Sequence, residues 1–383
     1  MLKLTPVFLL AFISQALASS LKDTCQHAAE TYAEIVHASY SDSLEGARLL
    51  TKSVSSLVQT PTTENLTKAK ETWITCRQPY LQTEVYRFYG GPIDDEDGPE
   101  AMINGWPMDE FYIDYVEDAP KAGIINDPQT YPNITPELLA DLNEKAGETA
   151  ISCGYHAIEF LLWGQDFSDD GPGNRPVTDF TTAPNADRRK TYLLACCELL
   201  ERHLAELVAD WAPGNPQNYR AEFLAKDPRR AVWLMLSGMK TMAGLELSGE
   251  RMLVAWDTQA QEDEHSCFSD TTHQDMIFDA IGLENVFEGR YVRTNGEVIE
   301  GAGLKTVAAE LDPGTTQKLS KLVADSVAAM KEIPRPFDQA ILGEDDSPGR
   351  TAIFRSVELL EEQAGLLGKL ERLLLEEIRE NSQ

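Results

Sequence analysis

Gly154-Tyr155-His156-Ala157-Ile158-Glu159-Phe160-Leu161-Leu162-Trp163 is an almost wholly apolar run, interrupted by one imidazole and one carboxylate. A helix carrying Ile158, Phe160, Leu161, Leu162 and Trp163 belongs deep in a core. His156 and Glu159 are three apart, so on that helix they share a face. A charged glutamate there is costly unless it is paired or bound to a metal. An imidazole and a carboxylate on one face can supply two ligands to one cation. Gly154 removes a side chain beside them and lets a ligand or a second helix come close. The same spacing equally serves a structural His–Glu hydrogen bond, the plainer reading on spacing alone, since a bare H-x-x-E is common by chance.

Working outward, helical periodicity dominates the chain. It predicts helices over Cys25 to Val58 and Thr63 to about Phe88. Thr135-Pro136-Glu137 starts another, with an N-cap hydroxyl, a proline at the first position and an acid in the first turn. That pattern runs on to Trp163, with a break near Gly147. Further helices are expected over Arg188 to Trp211, Arg229 to Trp256, Lys305 to Lys331 with a break at Asp312-Pro313-Gly314, and Arg350 to Arg379. Tyr291-Val292-Arg293 and Glu297-Val298-Ile299 flank Asn295-Gly296 and predict a small hairpin. Tyr89 to Asp118, Gly164 to Asp187 and Gln259 to Gln274 read as irregular. The pattern is an all-α fold of two tandem, four-helix-bundle-like domains with long irregular connections. The expected divisions are 1–18 as a signal peptide, 19–187 as the first bundle and 188–383 as the second.

The 383 residues, 42% of them hydrophobic, can bury a full core. With 63 acids against 33 bases the net charge is -30. Such a surface repels nucleic acid and anionic lipid and attracts cations, although solubility alone accounts for it. Lys3, the apolar stretch Pro6 to Ile13 and Ala16-Leu17-Ala18 fit a cleaved export signal. No later run is long and apolar enough to span a bilayer. Six cysteines in an exported chain leave both disulfides and free buried thiols open, though the adjacent Cys196 and Cys197 are badly placed to pair with each other.

Two polar clusters accompany the central run. Arg77, Tyr80 and Glu84 share one face of the second predicted helix, which is also an ordinary pattern for surface ion pairs. Glu262-Asp263-Glu264-His265-Ser266-Cys267-Phe268-Ser269-Asp270, followed by His273 and Asp275, gathers acids and imidazoles in a short stretch. An exposed acidic loop reads the same way. H-E-x-x-H, G-x-S-x-G, P-loop and C-x-x-C-H patterns are all missing.

Taken together, these stretches resemble the imelysin family. Gly154 to Asp166 is similar to its G-x-H-x-x-E signature, and Arg77, Tyr80 and Glu84 to its second motif. Glu264 to Asp275 and Gln82 to Asp94 resemble the iron-regulated protein A branch. The resemblance implies two helical bundles with the motif near their interface. It implies a periplasmic or envelope-associated role in bacterial iron acquisition, with iron-transport components as partners. By that similarity His156, Glu159 and Glu84 are the metal ligands, for iron, zinc or another divalent cation. Arg77 and Tyr80 orient Glu84 or close the pocket, and Asp94, His265, Asp270 and His273 face it. The family's metallopeptidase activity is the enzymatic alternative, and binding of haem or another ligand a third. Carboxylate-rich ligation suits a hard cation better than a peptidase zinc, and no residue is marked as a general base.

Overall fold

The structure is a computed structural model. It describes residues 6–168 and 171–380, with side chains from 21 onward. The expected leader over residues 1–18 and the pair Asp169-Asp170 therefore lie outside what is described at side-chain level.

The fold is all-α with one two-stranded hairpin, as expected. Helix α1 (Pro6–Gln59) packs along α2 (Thr63–Leu81) and α4 (Ala186–Asp210). Helix α3 (Gly154–Trp163), the opening stretch, sits against α2 and α4. Every one of its ten residues is buried. Helix α5 (Pro228–Thr241) continues into a π-helical segment, Met242–Leu253. Both pack on α8 (Pro348–Glu380), which also meets α7 (Pro313–Glu332). Helix α6 (Thr272–Glu288) bridges the two groups, touching α7 on one side and α2 on the other. Strands β1 (Arg290–Val292) and β2 (Val298–Glu300) form the antiparallel hairpin around Asn295-Gly296, with Tyr291 opposite Ile299.

Caps place the ends of several helices. Thr135 accepts from the Leu138 amide and Pro136 follows it, as its sequence predicts. Asp312 does the same for α7 through the Thr315 amide. Two expected helices are shorter than predicted. The one begun at Pro136 stops at Leu142, and an irregular segment separates it from α3. Helix α2 stops at Leu81 instead of near Phe88, because Thr83 turns back and donates both its amide and its hydroxyl to the Tyr80 carbonyl. Glu84 follows on a separate 3-10 turn, so it no longer shares a helical face with Arg77 and Tyr80.

One continuous core of aliphatic and aromatic side chains runs through both helix groups. Trp73, Trp211, Tyr80, Tyr86 and Tyr155 are among its largest fully buried members, each worth roughly 2–3 kcal/mol by area burial. All six cysteines are buried and free. Among the described residues no helix is long and apolar enough to cross a membrane.

Candidate functional site

Two close backbone approaches make the site possible. Gly154 opens α3 at φ +90°, and a Cβ there would stand 2.7 Å from the Ile103 carbonyl oxygen. Glycine is thus required both for conformation and for space. Gly282 lets α6 come down on the end of α2, where a Cβ would meet the Gln82 carbonyl oxygen at 2.7 Å. The first approach seats His156 and Glu159. The second draws the polar stretch ahead of α6 toward Arg77 and Glu84.

That stretch is not an exposed acidic loop. Glu264, His265, Ser266, Cys267, Phe268 and Ser269 are all buried. His265 lies against His156, ring centres 4.7 Å apart, and Trp106 packs on the His156 ring at 4.8 Å with the two planes tilted by 49°.

Each imidazole lies between a carboxyl group and a guanidinium. His156 Nδ1 lies 3.0 Å from Glu159 Oε2, and its Nε2 lies 3.2 Å from an Arg77 guanidinium nitrogen. His265 Nδ1 lies 2.7 Å from Asp275 Oδ2, and its Nε2 lies 2.5 Å from an Arg251 guanidinium nitrogen. A guanidinium can only donate, so His156 Nε2 accepts from Arg77 and its Nδ1–H donates to Glu159. His265 is different, because Arg251 reaches both of its ring nitrogens, Nδ1 at 2.9 Å and Nε2 at 2.5 Å, and Arg77 reaches Nδ1 at 3.3 Å. Burial, reinforced by the arginines, holds both imidazoles well below their usual pKa, so both are neutral.

Each carboxyl behind a histidine is held in turn. Glu159 Oε1 takes the Ser269 amide at 2.9 Å and the Ser269 hydroxyl at 2.7 Å. Burial pushes the Glu159 carboxyl up to about 8, against the lowering pull of Ser269 and Arg77. Asp275 takes the Ser266 hydroxyl at 2.6 Å and a Arg77–carboxylate ion pair at 3.3 Å.

Glu84 occupies the next place along. Its Oε2 pairs with Arg251 at 2.6 Å and Arg87 at 2.8 Å. Burial alone would raise it, but the two arginines outweigh burial and keep it ionised. The Tyr80 hydroxyl lies near enough to help, without a hydrogen bond of ordinary length. Arg251 also holds Glu246 at 2.8 Å and passes 4.0 Å from Asp279. The Asp279 carboxyl is fully buried, has no hydrogen-bond partner, and is pushed well up by burial.

The structure therefore gathers His156, Glu159, Arg77, His265 and Glu84 in one continuous network, with the Tyr80 hydroxyl beside it and unbonded. The three expected ligands are not three open donors facing one point. Guanidiniums stand between them, and among the described residues no group of three or more His, Cys, Asp or Glu side chains is set to hold a metal ion. Other expected pocket residues face elsewhere. Asp94 Oδ2 accepts from the Phe88 amide and pins that turn. Asp270 neighbours Asp166 and Asp338, and burial followed by those acids pushes its carboxyl up to about 7. His273 is half-buried near Arg335. Arg251, Glu246 and Trp106 carried no sequence signal, and Ser269 and Asp275 only their place in the polar stretch.

The network opens on a cavity of about 450 Å³. Arg87, Arg251, His265, Asn104 and Trp106 line it together with Glu100, Glu144, Glu148, Glu246, Glu250 and Asp263. A larger groove of about 810 Å³ lies around Asp95, Glu206 and Asp210 and has no histidine or arginine in its wall.

The chain is all-α, and its buried helix Gly154–Trp163 sets His156 against His265 from the loop ahead of α6. The imelysin model (peptidase M75) matches residues 36–367, and the chain belongs to that family. It is 23% identical over 313 residues to iron-regulated protein A of Synechococcus elongatus, covering 80% of this chain and 74% of that one. Its fold matches the crystal structure of a protein described as an iron-regulated protein A precursor from Parabacteroides distasonis. That match has a TM-score of 0.71 at 16% identity and covers 91% of this chain and 95% of the other.

Proposed function

We propose that this protein binds a divalent metal ion, iron above all, as cargo in the cleft between His156, His265 and Glu84, as an exported component of iron acquisition. One observation carries the reading. Two neutral imidazoles each lie between a buried carboxyl group and a guanidinium, His156 presenting its Nε2 lone pair to Arg77 and His265 meeting Arg251 at both ring nitrogens. Carboxyl–imidazole–cation is the arrangement by which proteins orient and strengthen metal-binding histidines. Here the cation in each case is a guanidinium.

The donor chemistry fits iron. Two imidazoles and a carboxylate suit ferrous iron. Glu84 Oε1 is a buried carboxylate oxygen with no hydrogen-bond partner of ordinary length. Six acids around the adjoining cavity draw cations toward it. Glu159 serves as the orienting group and not as a ligand, because Ser269 and His156 already engage both of its oxygens. The same saturation gives the peptidase reading no free general base at Glu159. The relatives named for iron regulation, and the export signal read at the N-terminus, agree with a role in iron uptake.

Anaerobic titration with ferrous iron tests the reading. Saturable binding that disappears in His156→Ala/His265→Ala supports it, and unaltered binding in that variant removes it.

A further inference from the structure

The donors around Arg251 are the donors a metal ion would use. Its guanidinium reaches His265 Nε2 at 2.5 Å, Glu84 Oε2 at 2.6 Å and Glu246 Oε1 at 2.8 Å. Asp279 Oδ2 lies 4.0 Å away. One imidazole and three carboxyl groups thus face the Arg251 guanidinium, with Arg87 sharing Glu84 at 2.8 Å and Glu246 at 3.5 Å. We infer that Arg251 is a displaceable cation, competing with the metal for these donors and swinging into the acidic cavity when the metal takes them. This rests on the metal-binding reading above and adds how that site is gated.

Arg77 and Arg251 look equivalent in their bonds to the histidines, but their surroundings differ. Arg77 is enclosed, with Asn104 and Asp275 gripping it and Trp73 and Tyr155 stacked on it. It does not line the cavity. Arg251 does, and Glu250, Asp263, Glu144 and Glu148 stand along the same wall. A guanidinium leaving His265 therefore meets new carboxylates without crossing apolar ground, and its charge stays compensated. Glu246, bonded to both Nε and a terminal nitrogen, forms the pivot. Arg251 also projects from the π-helical segment Met242–Leu253, a geometry found mostly at functional sites because it loosens the regular hydrogen-bond ladder.

Competition has a signature that a plain structural strut lacks. Removing the competitor tightens metal binding, whereas removing a strut loosens it. The probe is Co²⁺, followed by its visible ligand-field spectrum and by calorimetry on the full chain. Arg251→Met is expected to bind Co²⁺ at least tenfold more tightly than the wild type. Arg251→Lys keeps Glu84 paired, and so the fold, but has one point donor in place of a fork. It is expected to bind several-fold more tightly. Arg87→Met takes one of two guanidiniums off Glu84 and Glu246 without freeing a histidine and is expected to change affinity by less than threefold.

Equal or weaker binding by folded Arg251→Met or, where that variant does not fold, by Arg251→Lys overturns the inference while leaving the metal site standing. An equal gain from Arg87→Met overturns it too, since charge alone would then explain the effect. Absence of Co²⁺ binding in every form overturns both this inference and the reading it rests on.

Discussion

His156 Nδ1 and Glu159 Oε2 lie 3.0 Å apart on one buried turn of helix, and Ser269, 110 residues further on than Glu159, closes the other carboxyl oxygen. This three-residue spacing is a hydrogen bond first and a metal-binding element only through what the histidine's far nitrogen faces. The pair forms the hydrogen bond, and in the proposed metal site the carboxyl sets the tautomer of His156.

The Glu159 carboxyl gives a pH prediction. Its pKa in the folded protein is pushed up to about 8 by burial, against roughly 4.3 when unfolded. The folded state therefore holds this proton more tightly, and stability that is full below the unfolded value is lost as pH rises toward 8. Glu159→Gln cannot titrate. Its stability relative to wild type should improve by a few kcal/mol between pH 5 and pH 8, at about 1.4 kcal/mol per pKa unit. Urea unfolding of both proteins in the presence of chelator measures this. Parallel pH profiles would contradict it.

Gly154→Ala should be destabilising by roughly 3 kcal/mol, combining a strained positive φ with a backbone clash. The Cβ would sit 2.7 Å from Ile103 O and 3.1 Å from Met102 O. Thermal unfolding should show a clear fall in Tm. A Tm within one degree of wild type would refute the close approach.

Asp114 is the anchor of a second buried ion network, held by Arg175 at 3.0 Å and by Arg189 at 2.6 Å. Its carboxyl stays low because hydrogen bonding and charge from those arginines outweigh burial. Asp114→Asn leaves buried guanidiniums undercompensated and should cost about 3–5 kcal/mol. Chemical denaturation is the check, and a cost below 1 kcal/mol would show the network to be dispensable.

The six cysteines are free and buried. Burial pushes the Cys76 and Cys153 thiols up to about 12, so thiolate is scarce. A thiol reagent should find none reactive in the native protein and six after denaturation without reductant, and reductant should leave Tm unchanged. Fewer than six in the denatured chain would establish a disulfide.

Much of this was legible beforehand. Period 3.6 located the long helices, Asp312-Pro313-Gly314 the break between two of them, Thr135-Pro136 the start of a short one, and Asn295-Gly296 the hairpin. The apolar run after Gly154 predicted a helix buried on all sides, as found. What stayed hidden depended on long-range closure. The break after Leu81 comes from Thr83 bonding back to Tyr80, which no periodicity reveals. Arg251 looks like any surface arginine until the loop ahead of α6 brings His265 to it. The stretch Glu264 to Ser269 is polar enough to read as exposed, yet it is buried because its polar groups find partners in α2, α3 and α6.

The most direct test of the central claim is the iron content of the protein equilibrated anaerobically with ferrous iron and desalted, beside His156→Ala/His265→Ala at matched fold by circular dichroism. The account predicts about one iron per chain in the wild type and close to none in the variant. Equal iron in the two proteins, or none in the wild type, would contradict it.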